Sequence, residues 1–156
     1  MNNDPEKFKK LFEDHFSGDP WIGVNILQTL QTLDEQDAAK KVGNLNSIWS
    51  IVNHMIGWRE TLLKRISNLD VPSPEDNFFN PISDFSPLAW KETFARLQSS
   101  QDALLFYLSG KNPGMDEHPN AGSYSRFELL QGILQHDVYH LGQIVLIRKL
   151  LGKGID

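Results

Sequence analysis

The chain has 156 residues, enough for one domain with a proper core, and its formal net charge is −5. It has no cysteine, which excludes disulfides, thiolate metal sites and a cysteine nucleophile, and it has no Lys/Arg cluster to serve a nucleic-acid surface. The first ten residues are too charged for a secretory signal, and the longest apolar run is broken by Arg148 and Lys149, well short of a membrane span. We expect a single cytoplasmic domain over residues 1–156, with a small-molecule substrate and neither nucleic acid nor membrane as partner.

In chain order, Phe8, Leu11, Phe12 and Phe16 fall at helical spacing in a short amphipathic segment that ends at Gly18. Asp19 followed by Pro20 reads as an N-cap with proline in the first turn, opening a helix to about Leu33 with Trp21, Val24, Leu27 and Leu30 inward. Residues 34–46 are polar, with room for one helical turn. A second long helix is expected from Ser47 to Leu69 on the stripe Ile48, Ile51, Met55, Leu62, Ile66 and Leu69. His54 lies at the edge of that stripe, with Trp58 one turn beyond. Three prolines make residues 70–86 a loop, in which Phe78 and Phe79 serve as a core plug or a lid. Ser86 and Pro87 start a third helix to about Ser109, with Trp90, Phe94, Leu97, Leu104 and Leu108 inward and Gln101 as the polar residue in the seam.

The last helix, Ser125 to Leu151, starts on a capping box formed by Ser125 and Glu128 and stops at Gly152. His136 and His140 stand one turn apart, roughly 40° from each other around the axis. They share an arc with Leu129, Ile133, Gln143, Ile144 and Ile147. Two imidazoles in an apolar seam need partners for their ring nitrogens, and a shared cation supplies one to each. The other side carries Phe127, Leu130, Leu134, Val138, Leu141 and Val145. A helix apolar on both sides is covered on both, either by a second copy in a homodimer or by the segment Phe8–Phe16.

One-sided helices and no alternating strand pattern predict an all-α four-helix bundle. The 17 residues from Asp70 to Ser86 reach roughly 55 Å when extended, more than the roughly 35 Å of a 23-residue helix. The second and third helices are therefore expected to run parallel, joined by a crossover loop.

For a third metal ligand, His54 is favoured because it lies on an inward face, whereas His15 and His118 sit among polar or loop residues and are expected at the surface. The rival is a carboxylate completing a two-histidine facial triad. Asp137 points roughly 100° away from His136 and is better placed to orient an imidazole than to bind metal, with a solvated surface position as the equal alternative. Trp58 is read as core packing or a pocket wall, and Gln143 as a hydrogen-bond partner near the metal or a core amide. Tyr139 looks peripheral.

The stretch N-H-M-I-G-W-R-E around His54, followed downstream by H-D-V-Y-H-L-G-Q-I, resembles the DinB/YfiT-like metal-binding four-helix bundles. The resemblance runs from about Trp21 to Leu151 and includes the Pro20-Trp21 and Ser47-Ile48-Trp49 helix entries. It implies a bundle whose middle helices run parallel, a zinc or nickel ion on His54, His136 and His140, and frequent dimers. Many members carry Arg after the last histidine; Leu141 stands there in this chain, so that arginine's role does not transfer. The resemblance implies either a transferase using a low-molecular-weight thiol such as bacillithiol or a metal-dependent hydrolase. A non-catalytic bundle stapled by a structural metal is the third reading. The transferase reading needs cationic groups for an anionic thiol, for which Arg65 and Arg126 are the candidates. The hydrolase reading needs a general base that the histidine-bearing faces do not offer.

Overall fold

In the computed structural model, which describes residues 4–110, 114–119 and 124–154, every helix begins on a side chain that accepts a backbone N–H of its first turn. Asp4 opens α1 (Pro5–Phe16), Asn25 opens α2 (Ile26–Leu30) and Asp34 opens α3 (Glu35–Ala39). Ser47, Ser86 and Ser125 do the same for α4 (Ile48–Ile66), α5 (Pro87–Leu108) and α6 (Arg126–Leu150). The capping box of α6 is complete, with Glu128 accepting from Ser125 N at 2.7 Å. No strand occurs among the described residues, and no helix there is long and apolar enough to cross a membrane.

The α4 helix packs against α5 and α6, and α1 closes the fourth side between α5 and α6. Along α4 and α5 the paired residues advance in the same sense: Trp49 meets Trp90 and Thr93, Glu60 reaches Arg96, and Arg59 reaches Gln101. Along α4 and α6 they advance in opposite senses, from His54 facing His136 to Ile66 facing Arg126. The long loop after α4 carries the chain back to start α5 at the same end.

Three expectations are corrected. The helix from Asp19 to Leu33 does not form: Pro20 to Gly23 is a turn closed by Gly23 N donating to Pro20 O, with Gly23 at φ 75°. Asn25, whose oxygen caps α2 while its amide donates to Gly18 O, restarts the chain as one short helix. The bundle's fourth helix is therefore α1, and Trp21, expected inward, is fully exposed at 101%. Leu69 is likewise exposed, because Asn68 at φ 64° turns the chain out of α4 and ends the stripe at Ile66. His15, expected at the surface, is buried at 3%, since it continues the inward face of Phe8 and Phe12 on α1.

The core has two apolar halves. One gathers Ile48, Trp49, Val52, Ile56, Leu97, Leu141 and Ile144, and the other Phe12, Leu62, Leu104, Leu130 and Ile133. Between them in sequence on each long helix lie the buried polar residues Arg59, Ser100, Gln101 and Asp137. Arg59 donates from Nε to Asp137 Oδ2 at 2.8 Å and from Nη1 to Gln101 Oε1 at 3.2 Å, while Gln101 Nε2 donates to Phe12 O at 3.0 Å. The seam glutamine thus satisfies the core. His15 is close enough to feel the charges of both Arg59 and Asp137, yet neither of its ring nitrogens makes a hydrogen bond of normal geometry.

Candidate metal centre

The site is built where α4 and α6 cross above this polar layer. An inward position on α4 supplies His54, and two positions one turn apart on α6 supply His136 and His140. One ligand atom from each lies within 4.8 Å of the others. His54 Nε2 stands 2.8 Å from His136 Nε2, and the His140 ring centroid is 4.5 Å from that of His54 and 4.4 Å from that of His136.

The opposite ring nitrogens face other partners. His54 Nδ1 donates to the backbone carbonyl of Asn77 at 2.6 Å. A carbonyl can only accept, so the neutral ring keeps its lone pair on Nε2. His140 Nδ1 lies 2.7 Å from Gln143 Oε1, which leaves its Nε2 as the lone-pair nitrogen in the same way. His136 Nδ1 faces Asp137 Oδ1 at 3.5 Å. Nitrogens sharing one tetrahedral zinc stand about 3.3 Å apart, given Zn–N bonds near 2.0–2.1 Å. The donor set therefore suits a divalent cation once the rings shift, with an opening of about half an ångström between His54 and His136 and a closing of any separation that approaches 4.8 Å.

Burial favours the neutral form of two of these rings, His54 and His140. It lowers the His54 pKa against the opposing pull of the Asn77 carbonyl, and it lowers His140 to about 4 against the hydrogen bond to Gln143. A neutral imidazole is the form that binds metal. Burial works to raise the Asp137 carboxyl, but the Arg59 guanidinium, His136 and His15 together outweigh it and hold it below the ordinary range.

A cavity of about 590 Å³ opens beside His136 between α4 and α6. Trp58, Leu62, Leu129 and Ile133 form its apolar walls, Gly132 presents no side chain to it, and Arg65 lies at its edge over the Trp58 ring at 5.6 Å. Glu128 is the carboxylate of the lining, and it is held in the helix cap, accepting from both Ser125 N and Ser125 Oγ. Trp58 is pinned through Nε1 to Asn77 Oδ1 at 2.8 Å and meets Phe78 edge-on at 5.5 Å. On the other side Phe79 stacks on His54 at 4.3 Å.

Trp58, Gln143 and Asp137 thus all lie at the site, in different roles. Trp58 walls the cavity and Gln143 orients His140. Asp137 is fully buried beside His136 with Arg59 as its near partner. Tyr139 is exposed, as is His118. Arg126 is engaged by Ile66 O, Asn68 Oδ1 and Glu117 Oε2, bracing helix ends away from the cluster. Leu141 is fully buried in the core, so the position after the last histidine does not face the site. Arg59 and Asn77 also belong to the site, beyond the residues the sequence points to. An arginine one residue past Trp58 on an otherwise apolar helix face was a signal for the first; an asparagine in a loop gave none for the second.

No curated protein and no solved structure matches this chain. The model of the DinB superfamily matches residues 24–144, which take in all three histidines and the whole of α4 and α5. With that match over most of its length, and with three histidine ring nitrogens that can hold a metal ion inside an all-helical bundle, the chain belongs to the DinB superfamily.

Proposed function

We propose that the protein is a metal-dependent transferase that joins a low-molecular-weight thiol of the bacillithiol type to an electrophilic acceptor. The observation that carries this reading is a three-histidine cluster with a cavity on one side, where the carboxylate among the described lining residues, Glu128, is held by Ser125. A zinc or nickel ion held by imidazoles would keep its full charge and would favour the thiolate form of a thiol bound to it. His54, His136 and His140 hold the ion, Asn77 and Gln143 keep two of the rings in the ligating tautomer, and the apolar walls exclude water. A flat apolar acceptor fits between Trp58 and Ile133, with Arg65 at the rim for an anionic group on either reactant. The thiol sulfur forms a bond to the acceptor carbon, the leaving group departs with its electron pair, and the thiol proton passes to solvent.

Hydrolysis is the second reading. It requires a base for water, and Asp137 beside His136 is engaged by Arg59 while Glu128 in the cavity lining is engaged by Ser125. We further propose that the protein works in the cytoplasm as a homodimer. Tyr139, Leu146 and Leu150 form an exposed row on α6 that supports the dimer, whereas Phe127 of the same helix is covered within the chain by Phe8 at 5.1 Å.

The test is to give the metal-loaded protein bacillithiol and a chlorinated aromatic acceptor and follow conjugate formation. Gly132→Leu, whose side chain enters the cavity, is expected to raise KM for the acceptor and leave metal content unchanged. Conjugation no faster than with His54→Ala removes the transferase reading, and turnover of an ester by the same preparation favours hydrolysis.

A further inference from the structure

The loop between α4 and α5 meets the histidine cluster through one residue that makes two bonds. The Asn77 backbone carbonyl accepts from His54 Nδ1 at 2.6 Å, and its side-chain oxygen accepts from Trp58 Nε1 at 2.8 Å. Reaching both requires an unusual backbone: Asn77 and Phe78 have φ of 51° and 61°. Two successive residues other than glycine in that region are uncommon. Asp76 holds the turn, its side chain accepting from Phe78 N at 3.0 Å and its carbonyl from Phe79 N at 2.9 Å. The helix side is shaped to match, since a Cβ on Gly57 would stand 2.4 Å from Phe78 Cγ.

We infer that Asn77 is a positioning residue that locks the metal-binding tautomer of His54 and ties it to Trp58, the wall of the cavity. Covering the core would need only the Phe78 ring on Gly57. It would need neither the carbonyl aimed at a histidine nitrogen nor the amide aimed at an indole. The carbonyl keeps hydrogen on Nδ1 and so presents a bare Nε2 to the cluster. A ring released from it can carry hydrogen on Nε2, which must leave before a cation binds. Because the same residue holds Trp58, a molecule seated against that indole and a cation on His54 each alter the affinity for the other, by the same factor in both directions. This role adds to the metal reading proposed above, and its first test needs no metal.

Long-range proton–nitrogen NMR of the metal-free, ¹⁵N-labelled protein reads the tautomer of each histidine. Wild type is expected to show His54 as Nδ1–H. In Gly57→Ala, which displaces Phe78, that signature is lost and zinc affinity, measured by chelator competition, falls about 10- to 100-fold. Gly142→Ala is the control, because a Cβ there meets nothing within 4 Å, and it is expected to match wild type. Asn77→Gly keeps the carbonyl and the positive φ but removes the amide. It retains the His54 tautomer and frees the Trp58 indole N–H to exchange rapidly. If Gly57→Ala does not fold, Phe78→Ala empties the same seat and is read in the same way. Nε2–H at His54 in wild type, equal zinc affinity in the two glycine variants, or a protected Trp58 indole in Asn77→Gly overturns the inference. A wild type that binds no zinc yet shows Nδ1–H removes the metal reading and supports the lock.

Discussion

Asp137 reaches across the bundle to Arg59 more closely than it approaches the histidine next to it in sequence. Its Oδ2 lies 2.8 Å from Arg59 Nε, against 3.5 Å from Oδ1 to His136 Nδ1, and both side chains of the ion pair are 0% exposed. A pair removed from water on all sides depends on each partner for its solvation. Through Asp137 the pair adjoins His136, one of the three histidines of the candidate metal centre.

Removing one partner strands the other. Arg59→Met leaves Asp137 ionised without its counter-charge, and we expect a loss of about 3–5 kcal/mol. The double variant Arg59→Met/Asp137→Leu is expected to recover most of that loss, because it strands no charge. Urea unfolding of both variants decides it; equal losses in the two would show that shape, not charge, holds this layer.

Metal removal reads the histidine cluster directly. Wild type with excess zinc is expected to melt above the chelated protein, by an amount corresponding to about 2.7 kcal/mol when free zinc is a hundred times Kd. His140→Ala should abolish both that difference and the stoichiometric metal. An unchanged metal content in the variant would sink the three-histidine site.

Acid should unfold the metal-free protein in a defined window. Burial lowers the pKa of His140 from 6.5 to about 4, and those of His54 and His15 fall for the same reason. The unfolded chain therefore binds these protons first. The stability that the neutral rings retain is complete above pH 6.5 and declines as pH falls toward 4. The lowered pKa of Asp137 adds a further loss only below its ordinary 3.8. Denaturant midpoints from pH 7.5 to 4 test this, and a flat profile contradicts it.

For the proposed dimer, light scattering at tens of micromolar should give twice the chain mass, and Leu146→Glu should return the monomer. A monomer in wild type at that concentration ends the proposal.

The three histidines were legible before any fold was known, because helical spacing carries its own geometry. His136 and His140 share a helix face whatever surrounds them, and the inward stripe of α4 brought in His54. The helix starts at Ser47, Ser86 and Ser125 were equally readable, since a cap is settled within four residues. Where local signals competed, the outcome was less readable. The Asp19-Pro20 pair looks like a helix start, but Gly23 and Asn25 turn the chain and cap a later helix instead. That moved Trp21 from the core to the surface and made α1 the fourth helix of the bundle.

What the sequence determined by itself was therefore whatever rests on near neighbours: the caps, the helix faces and the histidine pair. What only the tertiary structure decided was which distant groups share a low-dielectric interior. Asn77 approaches His54 from a loop 23 residues away, and Arg59 meets Asp137 across 78 residues. The burial of His15 belongs with these. The strength of such contacts comes from being out of water, and no residue carries that property until the helices have packed around it.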